Sequence, residues 1–139
     1  KYSRLSSFFC KEFIPSDEYT GPADSLFNCQ YIIGQEGDFF VYVFDGTCSS
    51  CVMETLDFIT FVQSLKIQDI PKVLFFTKAE NNDIFSYYYD KLLAPDLQVP
   101  IPVCYQMYDR DDVHNGLYYI ENNLIKGYLP WHYQTIKLP

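Results

Sequence analysis

Two cysteines separated by two residues are the part of this chain best suited to chemistry. Cys48 and Cys51 enclose a Ser-Ser dipeptide and stand between an apolar run and an amphipathic segment. The thiolate form of cysteine is a nucleophile, and two cysteines at this spacing can close a small disulfide ring. At a helix N-terminus, free backbone N–H groups and the helix dipole favour an anion. We therefore expect the pKa of the first thiol to be lowered there.

The residues around the pair predict a strand before it and a helix after it. Residues 39–44 read FFVYVF, and such β-branched and aromatic runs are typical of a buried strand. Residues 45–47, Asp-Gly-Thr, supply a turn. Apolar residues then recur at helical spacing from about Ser50 to Lys66, with Glu54 expected in the first turn of the helix.

The rest of the chain predicts one α/β domain over residues 1–139. Residues 1–35 predict an irregular extension, with a possible strand over 27–33. The later predicted elements are a buried strand at 72–78, a helix at 84–93, an edge strand at 103–108 after two prolines, and a hairpin of strands 117–120 and 124–128. A strand, a helix of this length and a second strand imply parallel pairing with a right-handed crossover.

Charge and composition exclude several kinds of partner. The formal net charge is −8, and the lysines and arginines form no cluster, which argues against nucleic acid and anionic membranes as partners. No stretch reaches the roughly 20 apolar residues of a membrane span. Because the chain begins at Lys1 rather than Met, we expect that a targeting segment or anchor precedes it. We expect no cofactor.

Three of the five cysteines lie away from the pair. Cys10, Cys29 and Cys104 are expected to be buried or idle thiols, since free cysteine is among the most buried residue types. A Cys10–Cys29 disulfide is the alternative for the first two.

The predicted order of strand, CxxC, helix, strand, helix, strand and hairpin resembles the thioredoxin fold. The segment VPIPVCYQMYD at 99–109 is similar to the inserted strand of the TlpA/ResA-type and peroxiredoxin-like branch. The chain also resembles thioredoxin-like lipoproteins of Bacteroidetes over roughly residues 27–130. This resemblance implies a three-layer sandwich whose central mixed sheet of four or five strands is flanked by helices. It also implies an exported protein, periplasmic or membrane-anchored, that exchanges thiols and disulfides with protein substrates and a redox partner protein.

The resemblance assigns roles to individual residues. Cys48 would attack a substrate disulfide and Cys51 would resolve the mixed disulfide. Asp45, Gly46 and Thr47 would shape access to Cys48, and Asn115 and Gly116 would lie opposite it.

Two positions depart from the family pattern. Thioredoxin-like proteins carry a cis-proline just before the hairpin, but residues 113–116 read Val-His-Asn-Gly. Thioredoxins also keep a buried acid six residues ahead of the first cysteine, where this chain has Tyr42. Asp45 or Glu54 would then have to act as proton acceptor for Cys51.

Other functions remain open for the same residues. His114 stands where Sco-type copper proteins, which this fold also resembles, carry a ligand histidine. Together with Cys48 and Cys51 it could bind Cu(I), because thiolate is a soft ligand. A passive disulfide or a redox-inactive binding module are the remaining alternatives, although so small a loop gives a disulfide little stabilising effect.

Overall fold

The computed structural model describes residues 23, 27, 37–46, 48–77, 83–99, 101–105 and 115–130. They form an α/β fold with one mixed five-stranded sheet. In chain order the elements are β1 (Asp38–Phe44), α1 (Ser49–Gln63), β2 (Val73–Thr77), α2 (Asp83–Tyr88), β3 (Val103–Tyr105), β4 (Gly116–Glu121) and β5 (Leu124–Pro130). A π-helical turn, Tyr89–Leu93, continues α2, and 3₁₀ turns occupy Ile67–Asp69 and Ala94–Asp96.

The strands lie in the order β3-β2-β1-β4-β5. β1 and β2 are parallel, as are β2 and β3, while β4 is antiparallel to both β1 and β5. Parallel neighbours need a crossover connection, which α1 supplies between β1 and β2 and α2 supplies between β2 and β3. Phe44 pairs with Thr77 and Val43 with Gly116. The ends of β2 and β4 that flank the Cys48 loop are therefore fixed by register.

Side chains of β1 alternate between two buried clusters, because successive residues of a strand face opposite sides of the sheet. Phe40, Tyr42 and Phe44 pack with α1 and α2 on one face, where the Tyr42 and Phe58 rings stack with centroids 4.6 Å apart. The other face packs with Ala23 and Phe27. The Phe27 ring lies 5.5 Å from Phe76 and 5.1 Å from Tyr118, centroid to centroid. Both faces of the sheet are thus covered, which explains why β1 and β2 are continuously apolar.

The α/β class, the mixed sheet and the edge position of β3 are confirmed. The predicted helix from about Ser50 to Lys66 begins at Ser49 and ends earlier, at Gln63. Its C-cap is Ser64, whose N–H bonds the carbonyl oxygens of Thr60 and Phe61. The predictions for residues 1–22 and 28–36 lie outside the described residues. None of the helices in the described part of the chain is long and apolar enough to span a membrane.

The hairpin turns at two asparagines. Asn122 and Asn123 have φ of 52° and 66°, which is the left-handed pair that a two-residue type I′ turn requires. Asparagine tolerates this region better than most residues. The Asn122 N–H also donates to the Gly37 carbonyl at 3.2 Å. This bond joins the hairpin to the start of β1.

Replacing Gly116 with alanine should destabilise the fold by about 2 kcal/mol, since overpacking a close contact costs in this range. A Cβ there would lie 2.5 Å from Tyr128 Cε1 and 2.7 Å from the Leu129 carbonyl oxygen. Tyr128 cannot easily move away, because its hydroxyl donates to the Asn115 carbonyl at 2.9 Å. Urea unfolding measures the loss.

The matched control is Gly37→Ala, where φ is +78° but a Cβ would meet nothing within 4 Å. Its free energy of unfolding should fall by only about 1 kcal/mol, the cost of placing alanine in a left-handed backbone conformation. A Gly116→Ala protein as stable as Gly37→Ala would show that the β4–β5 contact is not tight.

Candidate active site

Cys48 caps the helix that follows it. It is the N-cap residue of α1, with extended backbone angles of φ −90° and ψ 115°. Its Sγ accepts the N–H of Cys51 at 3.3 Å, and its carbonyl accepts the N–H of Val52 at 2.9 Å. The sulfur therefore occupies the place that serine or aspartate oxygen usually takes at a helix start. The predicted position of Cys48 at a helix N-terminus is confirmed.

Both cysteines of the pair are free thiols and half-buried. Burial raises the pKa of Cys51 to about 12, with help from its hydrogen bond with Cys48 and from the charges of Cys48, Asp45 and Glu54. Cys51 is therefore protonated at neutral pH, and a base must remove its proton before it can act as a nucleophile.

Glu54 is a carboxylate buried without a partner. Its side chain is 8% exposed, and neither carboxylate oxygen has a hydrogen-bond partner. Burial, and then the charge of Asp57, raise its pKa to about 7. It lies about one helical turn beyond Cys51. The prediction that Glu54 stands in the first turn of the helix is wrong, because α1 begins at Ser49 and its first turn contains no acidic residue. Near neutral pH it can both accept and release a proton.

Tyr42 fills the position where a buried acid was considered. Its hydroxyl is hydrogen-bonded to Thr55 Oγ1 at 3.2 Å, and Thr55 Oγ1 donates to the Cys51 carbonyl at 2.7 Å. Burial raises the pKa of Tyr42 well above its usual value. Tyr42 therefore stays protonated and supplies no base. Thr55 is a buried neighbour of the pair that the apolar pattern of the sequence did not reveal.

The turn before Cys48 is tied to the end of β2. The Gly46 N–H donates to Thr77 Oγ1 at 3.2 Å, and both residues are buried. The Cys48 N–H donates to the Asp45 carbonyl at 3.4 Å. These bonds fix the backbone that presents Cys48. Thr47 lies outside the described residues.

Asn115 and Gly116 lie at the same end of the sheet as the pair. Gly116 is opposite Val43, near the end of β1. The Asn115 carbonyl holds the Tyr128 hydroxyl, while Asn115 Oδ1 is buried without a hydrogen-bond partner. The register thus places Gly116 at the end of β1 that leads to Cys48, and the role predicted for Asn115 and Gly116 stays a prediction.

The remaining cysteine of the described region differs from the prediction. Cys104 is buried, as expected, but it is disulfide-bonded and not a free thiol. Cys10 and Cys29 lie outside the described residues, so the expectations for them stay predictions. Cysteine counting cannot reveal such a pairing, because connectivity does not follow from spacing.

A metal centre finds no support in the residues that can be described. No group of three or more His, Cys, Asp or Glu side chains among them could hold a metal ion. His114 lies outside the described residues, so the copper alternative stays a prediction.

A cavity of about 340 Å³ lies away from the cysteines. It is lined by the C-terminal half of α1, the start of β2 with the residues before it, and Val99, Ile101 and Pro102. The Gln63 side chain forms one wall by bonding the backbone of Gln98 and Val99. The start of β2 is at the opposite end of the parallel strands from Cys48, so this cavity is no part of the site.

Comparisons with models of protein families, with curated proteins and with solved structures found no match to this chain. The geometry and electrostatics around Cys48 and Cys51 are therefore the basis for inferring function.

Glu54→Gln should stabilise the protein at alkaline pH. The folded-state pKa of about 7 exceeds the usual 4.5, so the folded chain binds the Glu54 proton more tightly than the unfolded chain does. Stability from this group is present below pH 4.5 and is lost as pH rises through 7. An uncharged glutamine should gain about 1–3 kcal/mol at pH 8 relative to the wild type.

Urea unfolding between pH 4 and pH 8 measures this difference, which should vanish at the acid end. Asp90→Asn is the matched control, because Asp90 is exposed on the turn after α2 and should show no such trend. A Glu54→Gln effect that does not change with pH would contradict the burial of a charged carboxylate.

Proposed function

We propose that this chain is a thioredoxin-like domain that catalyses thiol–disulfide exchange on protein substrates through Cys48 and Cys51. The observation that carries the proposal is the asymmetry of the pair. Cys48 Sγ lies at the start of α1 and accepts a backbone N–H, whereas the raised pKa of Cys51 keeps it protonated. A nucleophile and a resolving thiol need this difference. The parallel strands, the hairpin and the covered sheet faces are what a three-layer sandwich would require.

The first step is attack by the Cys48 thiolate on a substrate disulfide. A bond forms between Cys48 Sγ and one substrate sulfur, and the second substrate sulfur leaves as a thiolate that takes a proton from water. The Cys51 N–H, which donates to Cys48 Sγ, holds this sulfur at the N-terminal end of α1 before attack.

The second step needs a base for Cys51. Glu54 accepts the Cys51 proton, and Cys51 Sγ attacks Cys48 Sγ to form the intramolecular disulfide. The remaining substrate sulfur leaves and takes the proton back from Glu54. In total the substrate gains two electrons from the two cysteine sulfurs and two protons, one from water and one from Cys51 by way of Glu54. Tyr42 cannot replace Glu54, because burial raises its pKa above the neutral range.

The proposed setting is an oxidising compartment. Disulfides persist in exported proteins and are rare in proteins of reducing compartments. Cys104 is both buried and disulfide-bonded. We propose an exported protein, periplasmic or held at a membrane by an anchor outside this sequence. Its partners would be protein thiols and disulfides, with a redox protein to regenerate the pair.

Cys48→Ser should abolish the protein's catalysis of insulin reduction by dithiothreitol and leave only the slow uncatalysed reaction, because the attacking thiolate of the protein is gone. Cys51→Ser should instead accumulate a mixed disulfide at Cys48, visible as an adduct by mass spectrometry. Ser50→Ala, an exposed position between the cysteines, is the control and should keep wild-type activity. Full activity in the Cys48→Ser protein would refute the assignment.

Glu54→Gln should slow release of the mixed disulfide by about a hundredfold at pH 7, as expected when a general base is lost. Formation of the mixed disulfide should stay unchanged, since Cys48 does not depend on Glu54. Rapid-quench kinetics separate the two steps. If both slow equally, Glu54 has a structural effect only.

A further inference from the structure

The charged side chains on the elements that carry the cysteine pair are all acidic, over β1, residues 45–46 and α1. Asp45 precedes Cys48 by three residues and bonds its N–H through the backbone carbonyl. Glu54 lies one turn beyond Cys51, and Asp57 one turn further, exposed to solvent. Neither β1, residues 45–46 nor α1 contains a lysine, arginine or histidine.

This negative field already acts on the pair itself. The charges of Asp45 and Glu54 both raise the pKa of Cys51, and the charge of Asp57 raises that of Glu54. The same field acts on whatever approaches Cys48, and the net charge of −8 adds to it at long range.

We propose that the Cys48–Cys51 site selects disulfides by charge, favouring those flanked by cationic groups, such as lysine- or arginine-rich peptide segments, over anionic ones of the glutathione class. This inference rests on the exchange reaction proposed above. The selected step is attack of the Cys48 thiolate on the substrate disulfide, which forms one S–S bond, breaks another and releases one substrate thiolate. The acidic side chains of α1 and the net charge of the protein repel an anionic substrate that approaches Cys48, whereas they attract a cationic one.

The size of the effect depends on salt. Charges are screened beyond about 8 Å at physiological ionic strength and beyond about 30 Å at 0.01 M. Fields of this kind change association rates by about 10- to 1000-fold at low salt. Selection should therefore be largest at low ionic strength and should fall as salt is added.

Three small disulfides of similar size test the proposal. They are cystamine, which is cationic, bis(2-hydroxyethyl) disulfide, which is neutral, and 3,3′-dithiodipropionate, which is anionic. The rate of each with the reduced protein is divided by its rate with 2-mercaptoethanol, which removes intrinsic differences in reactivity. At low salt the normalised rate for cystamine should exceed that for dithiodipropionate at least about tenfold, with the neutral compound between them. In 0.5 M NaCl most of the difference should disappear.

Two variants locate the field. Asp57→Asn should reduce the ratio of the normalised rates about twofold, the effect of one exposed charge. Asp96→Asn, also exposed but on the 3₁₀ turn after α2, should leave the ratio unchanged. Equal rates, an anionic preference, or a preference that salt and Asp57→Asn do not alter would overturn the charge selection alone. If none of the three disulfides reacts, the exchange function itself fails.

Discussion

The hydrogen bond from the Cys51 N–H to Cys48 Sγ is the contact on which the site depends. It makes a thiol the cap of α1, so the helix begins at the reactive atom and not before it. The strand that leads to the cap is held on both sides, by β2 through Phe44 and Thr77 and by β4 through Val43 and Gly116. The sheet thereby places the Cys48 sulfur, the proposed nucleophile, at the N-terminal end of α1, which is the positive end of the helix dipole.

The second feature is a destabilising buried side chain close to this cap. A buried carboxylate with no hydrogen-bond partner destabilises a protein, and Glu54 is in that state. Residues that are unfavourable to the local structure are expected mainly at functional sites. Here the same burial that is unfavourable to folding raises the pKa of Glu54 to about 7, the range that the proposed proton transfer from Cys51 needs. In that proposal, stability and proton transfer are opposed at one residue.

Much of the fold could be predicted from the sequence, because its signals are local. The apolar run at 39–44, the helical spacing after Cys51 and the two asparagines of the hairpin each determine a nearby backbone conformation. The site was harder to predict from the sequence. Periodicity does not show that Glu54 is buried, because a carboxylate is usually expected on the solvated side of a helix; its position one turn after Cys51 was the available signal. That Cys104 is disulfide-bonded could not be predicted either, because the spacing of cysteines does not determine their pairing.

A redox titration of the purified domain tests the central claim most directly. The protein is equilibrated in dithiothreitol and glutathione buffers, the free thiols are alkylated, and mass spectrometry follows Cys48 and Cys51 separately from Cys104. The account predicts one reversible two-electron couple between Cys48 and Cys51, with a midpoint in the range of known exchange proteins, about −120 to −270 mV. A pair that remains as two free thiols across this whole range would contradict it.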